Sequence, residues 1–130
     1  MKGITLSEKR GDFEVFARAE WLGGDVLVTL WGGAAHIGAV AMAAPRPSLL
    51  DQGRVSATSS VFTFPGHKED IPAKMVSEAL SAGLNRKVVV VAGVHWDNAH
   101  TEDLRLIMEA CQALHERILR EMSPQGGRRA

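Results

Sequence analysis

Residues 55–84 read VSATSSVFTFPGHKEDIPAKMVSEALSAGL, and the hydrophobic period changes in the middle of the stretch. Up to residue 64 it alternates. Val55, Ala57, Ser59, Val61 and Thr63 share one face, and Ser56, Thr58, Ser60, Phe62 and Phe64 share the other, the pattern of a strand. After the polar hexapeptide at 65–70, Met75, Val76, Ala79, Leu80 and Gly83 recur at helical spacing. Glu69 and Asp70 precede this run and Pro72 lies in its first turn, which are helix start signals; Asn85 is a stop. A strand therefore passes directly into a helix at PGHKED.

Upstream, residues 13–21 alternate, with Phe13, Val15, Ala17, Ala19 and Trp21 on one face. Gly23-Gly24-Asp25 signals a hairpin turn. A second strand follows over 25–31 and Gly32-Gly33 breaks it. Residues 36–44, HIGAVAMAA, are small or apolar on both faces and predict a central strand, which Pro45-Arg46-Pro47-Ser48 is expected to end. Downstream, residues 87–94, KVVVVAGV, form an apolar run too short for a helix and predict a buried strand. His95–His100 is a polar loop. Thr101 is the expected N-cap of a long helix whose apolar stripe is Leu104, Ile107, Met108, Cys111, Leu114, Ile118 and Met122. The order β-β-β-β-α-β-α predicts an α+β fold: an antiparallel-rich sheet of about five strands with two helices on one face. Residues 1–122 are expected to form one domain and 123–130 a flexible tail.

Fifteen basic residues balance fifteen acidic ones. A nucleic-acid partner is not expected without a basic excess. The lone Cys111 excludes an internal disulfide and fits a reducing compartment. The start of the chain lacks the apolar run of a signal peptide, and no stretch approaches a membrane span. These features lead to an expected cytoplasmic location without membrane contact.

Polar and glycine residues cluster at four strand ends: 31–36, 45–48, 65–70 and 95–98. A helix start offers free N–H groups and a positive dipole end, so PGHKED reads equally as an ordinary polar turn or as one wall of an anion site. Arg46, His67 and Lys68 would supply charge there, Arg46 bidentately. His95, Asp97 and His100 have no strong metal-ligand spacing. The chain carries no GxSxG elbow, P-loop or HExxH motif.

Taken together, WGGAAHIGAVAMAAPRPSL (31–49), SSVFTFPGHKED (59–70) and VVVVAGVHWDNA (88–99) resemble the LpdD-like, prenylated flavin chaperone-like family associated with UbiD-type non-oxidative decarboxylases. The resemblance spans residues 10 to 120. It also suggests a fold like that of proteasome-assembly-chaperone-like domains. It implies a non-catalytic accessory protein that binds prenylated FMN or FMN as a transient ligand, or binds the decarboxylase itself, and assists cofactor delivery. The implied surface comprises Gly32, Gly33, His36, Arg46, Ser48, Gly66, His67, Lys68, His95, Trp96, Asp97 and Asn98. Arg46, His67 and Lys68 would take the phosphate, Trp96 or Trp31 would cover the ring, and His36, His95, Asp97 and Asn98 would bond ring edges. Two other readings stay open: a small metal- or acid/base-dependent enzyme, and a partner-binding assembly module with no small ligand. A homodimer, through an edge strand or the long helix, is compatible with all three.

Overall fold

The computed structural model describes residues 2–51, 53–66 and 68–123. Its elements are β1 (Gly3–Arg10), β2 (Phe13–Leu22), β3 (Asp25–Gly33), β4 (Ala39–Pro47), β5 (Val55–Thr63), α1 (Asp70–Leu84), β6 (Val88–His95) and α2 (Thr101–Met122). The strands make one six-stranded sheet in the order β1-β2-β3-β6-β4-β5. All neighbouring pairs are antiparallel except β3 with β6. The α+β class is as expected, but with six strands rather than five.

The additional strand is β1. Ile4 and Leu6 lie opposite Ala19 and Ala17 in its register, and Glu8 opposite Val15. A charged residue therefore follows two apolar ones on the inward face, which weakens the alternation. Charges on an edge strand also block pairing with a foreign strand. Gly11 and Gly23 make the two hairpin turns of the meander at positive φ, 59° and 62°.

A second difference concerns β4. It begins at Ala39, not at His36, and it continues through Pro45 and Pro47, which pair with Ala57 and Val55 of β5. On its other side β6 pairs only as far as Ala43. The β6 side of the strand is open beyond that point. The two prolines, at alternate positions, share one edge and are tolerated where no ladder bond is required.

Both helices lie on the same face of the sheet. α1 packs on β4, β5 and β6, and α2 on β1 and β2. The buried layer is Val15, Ala17 and Ala19 from β2, Val26, Val28 and Leu30 from β3, alternate small residues of β4 and β6, and the apolar stripes of the helices. Asn85 ends α1 in the left-handed conformation, φ 56°, and its N–H reaches Ser81 O at 2.9 Å. α2 is capped by His100 rather than Thr101, and the Asp103 carboxylate accepts the His100 N–H at 3.0 Å. Arg117 ties α2 to β1 through Ser7 O (2.8 Å) and Glu8 Oε2 (2.7 Å).

Among the described residues, the other face of the sheet carries no helix. Phe16 and Trp31, cross-strand partners, stack there with centroids 5.5 Å apart.

Candidate functional site

The β3–β4 connection must pass over the end of β6, because β6 lies between those two strands. It does so in residues 34–38, pinned by three backbone bonds: Ala34 N–H to His95 O, Gly38 N–H to Ala92 O and Phe64 N–H to Gly38 O, each 2.9 Å. A side chain on Gly93 would overlap the His36 carbonyl beneath the crossing, so only glycine fits. This crossing brings three of the four polar strand ends, 31–36, 65–70 and 95–98, to one end of the sheet.

His36 lies on the crossing, and its Nδ1 is 2.7 Å from Ala34 O. A carbonyl only accepts, so Nδ1 carries hydrogen. Nε2 then meets the carboxyl of Glu69, which is buried at 5% exposure just before α1. The imidazole and the carboxyl are in direct contact and form an ion pair whenever His36 is protonated. Glu69 Oε1 also accepts the Lys68 N–H at 3.0 Å. Gly38 packs so close to the Glu69 carboxyl that a Cβ there would collide with it. Beside this pair, His95 Nε2 lies 3.0 Å from Asp97 Oδ1, and the His36 and His95 rings are 6.3 Å apart.

Gly32 and Gly33 serve Trp96. A Cβ on Gly32 would be 2.7 Å from Trp96 Cη2, and one on Gly33 would be 2.9 Å from Trp96 Cε2. Gly33 also has φ 64°. The pair forms the seat of the indole, whose edge contact with Phe13, at 5.1 Å between centroids, fixes it from another side. Asn98, φ 61°, turns the chain from Trp96 into α2.

Between the start of α1, the end of β6 and the first turns of α2 is a cavity of about 440 Å³. Its apolar lining is Ile71, Pro72, Val94, Trp96, Ala99, Leu104, Ile107 and Met108, and Gly66, Lys68, Glu69, His95 and Asn98 complete it. Small-molecule sites have this size and this mix of apolar wall and few polar groups. The Lys68 ammonium makes no ion pair among the described residues.

Of the residues expected at the site, Gly66, Lys68, His95, Trp96 and Asn98 line the cavity. Gly32, Gly33 and His36 support it from behind, and Asp97 orients His95 at its rim. Arg46 and Ser48 are not brought to it. Arg46 is in the far end of β4 and Ser48 directly follows it; there Arg46 bonds Thr58 Oγ1 at 2.7 Å and the Ser48 Oγ accepts the Leu50 N–H at 3.2 Å. Trp31 faces the opposite side of the sheet. His67 lies outside the described residues. Sequence reasoning missed Glu69 as a buried partner and the wall from Ile71, Pro72, Leu104, Ile107 and Met108. Apolar Ile71 and Leu104, in the first turns of the two helices, were the only sequence signal for that wall.

Among the described residues no group of three or more His, Cys, Asp or Glu side chains is arranged to hold a metal ion, and no helix is long and apolar enough to cross a membrane. A family model described as the prenylated flavin chaperone LpdD-like domain matches residues 9–123. No curated protein matches the chain. Among solved structures, a chain from a chaperone complex for yeast 20S proteasome assembly has a similar fold, with TM-score 0.54 at 13% identity, covering 91% of this chain and 97% of that one.

Proposed function

The chain belongs to the prenylated flavin chaperone LpdD-like family, and from that premise we propose that it binds prenylated FMN in the cavity beside Trp96 and passes it to a UbiD-type decarboxylase. The observation that carries the reading is the lining of that one cavity, which combines the cation Lys68 with a largely apolar wall that includes Trp96. A prenylated flavin offers the matching groups, a phosphate for the cation and a flat ring system for the apolar wall. Lys68 would hold the phosphate, and the indole would lie against the ring. Ile71, Leu104 and Met108 would cover the prenyl-derived carbons. Asn98 and His95 would bond ring heteroatoms. Arg46 has no part in this site. The chemistry of the flavin belongs to the enzyme that receives it; here the residues bind and release.

Titration with FMN and prenylated FMN, followed by tryptophan fluorescence and by calorimetry, tests the reading. Saturable quenching by the prenylated form is expected, and Trp96→Phe should remove most of it. Lys68→Ala should weaken binding by roughly 10- to 100-fold, the effect of one charge-assisted hydrogen bond, with unchanged thermal stability. Absence of heat and quenching with both flavins would refute the cavity as a flavin site.

The His36–Glu69 and His95–Asp97 pairs favour one rival, acid–base catalysis at the same place. Conversion of a bound flavin by the chain alone, lost in Glu69→Gln, would select it.

A further inference from the structure

The two edges of the sheet differ in kind. β1 ends in Glu8, Lys9 and Arg10, charges that discourage pairing with a foreign strand. β5, at the other edge, reads VSATSSVFT, nine residues without a charge or a proline. Two bonds just beyond its ends fix which way its backbone points. Ser48 N–H reaches Arg54 O, and Phe64 N–H reaches Gly38 O, each 2.9 Å. The even-numbered residues therefore turn to β4. Val55, Ala57, Ser59, Val61 and Thr63 turn their N–H and C=O groups outward. Pro45 and Pro47, with no N–H to give, stand opposite Ala57 and Val55, as this alternation requires. The outward groups have no backbone partner among the described residues. An open, uncharged edge of this length is a template for another strand.

We propose that β5 pairs antiparallel with β5 of a second copy, about a two-fold axis at Ser59, joining the two sheets into one. Ser59 is the middle residue of β5, so this register overlaps the strands along their whole length. It sets Val55 against Thr63 of the other copy, Ala57 against Val61, and Ser59 against itself. All of these are outward-facing residues, and each facing pair exchanges two main-chain bonds. The total is about ten, the number that a specific interface of ordinary size carries. On the helix-free face the same register puts Phe62, 62% exposed, against Ser56, whose small side chain leaves room for the ring.

Charge selects a second copy as the occupant, and the same axis. The side of α1 turned to β5 carries Lys74 and Glu78, and both reach the Ser59 hydroxyl. Lys74 Nζ is 3.2 Å from it, and the Glu78 carboxylate accepts its hydrogen. Ser59 thus stands level with the middle of an ion pair whose halves are four residues apart on one helix face. A two-fold axis at Ser59 reverses the order along the neighbouring helix. Lys74 of each copy comes opposite Glu78 of the other, and no like charges face each other. The facing Ser59 Cα atoms would be about 5.5 Å apart, so the two ion pairs meet above the joined strands as one network of alternating sign. Slipping the register shortens the overlap and draws the pairs apart. The charged β1 edge offers no second such surface, so the assembly closes at two copies. The cavity lies between α1 and α2 and stays open in each.

Sedimentation equilibrium of the full chain over about 1–200 μM tests the proposal by mass action. The mass should rise from 14.0 kDa towards twice that value. Ala57→Pro removes an N–H that only the pairing uses, and proline is tolerated on a strand edge. Circular dichroism should show the fold kept while the dimer is lost. Lys74→Glu and Glu78→Lys each place like charges about the axis without touching the strand, and each should weaken self-association about fivefold or more. Mixing the two variants should restore association, with one copy of each in the complex. A 14.0 kDa species at every concentration, a dimer that survives Ala57→Pro, or charge variants that gain nothing on mixing overturns the proposal. So does a monomer whose β5 edge, blocked by the same proline, takes a strand of another protein instead.

Discussion

Gly32→Ala isolates what the glycine pair does for the candidate site. Gly32 does not have positive φ, so alanine brings no backbone strain there, only a methyl group. That methyl would be 2.7 Å from Trp96 Cη2 and 2.9 Å from Glu14 O. Carbon–carbon contacts settle near ~3.5–4.0 Å, so the indole must move by roughly 1 Å. Phe13 blocks one direction of retreat, and the cavity is the open one. Overpacking of this kind costs about 1–3 kcal/mol. For a chain of this length that is a fall in Tm of about 4 °C per kcal/mol, or ~4–12 °C. Two controls bracket the effect. Gly24→Ala meets nothing closer than Arg86 Nε at 3.9 Å and should stay within about 0.5 kcal/mol of wild type. Gly83→Ala meets the flexible end of Leu119 at 2.6 Å, and the helix gain of ~0.5–1 kcal/mol from alanine offsets the clash. Urea unfolding monitored by circular dichroism gives the energies, and Trp96 emission in a Trp21→Phe, Trp31→Phe background reports the displacement. If Gly32→Ala matches Gly24→Ala in stability and leaves that emission unshifted, the seat argument is wrong.

Cys111 is fully buried, and burial pushes its thiol up to about 12. The folded protein should therefore resist a thiol reagent at pH 8 and react at once in denaturant. Bonds from Arg10 and then Arg117 hold the Glu8 carboxyl below its ordinary value. That contribution is present above the unfolded carboxyl range and is lost as pH falls through the folded value. Glu8→Gln should flatten the acid limb of Tm against pH, and an unchanged slope would dismiss the clamp. Asn85→Gly should equal or exceed wild type in thermal stability, whereas Asn85→Ala should lose about 1 kcal/mol at the left-handed cap.

The strands with a regular period were legible. Residues 13–21 and 88–94 read correctly because one alternates and the other is an unbroken apolar run too short for a helix. β1 was not, because Glu8 occupies an inward position that a core strand would fill with an apolar residue, and Arg117 satisfies it from 109 residues away. Pro45 and Pro47 looked like an end because sequence cannot show that a neighbouring strand stops at Ala43. The cavity was visible in part through Lys68, His95, Trp96 and Asn98, which interrupt periodic segments. Its apolar wall was hidden, since Ile107 and Met108 look the same whether a helix stripe faces a core or a ligand. Glu69 looked like a helix-start acid. Its pairing with His36 depends on the crossing, which only tertiary structure reveals.

The place of β6 also bears on how the chain folds. It is the last strand in sequence and yet lies at the middle of the sheet, joining a β1–β3 meander to a β4–β5 hairpin. Neither half has a complete face for its helix until Val88–His95 is inserted. Most of the sheet's closure entropy therefore falls on one late, long-range event, as expected of slow, high-contact-order folding. Until it happens, the edges of β3 and β4 are unpaired, and unpaired strand edges make folding intermediates prone to aggregate. Substitutions in the four consecutive valines of β6 should therefore slow folding more than equal destabilisation elsewhere.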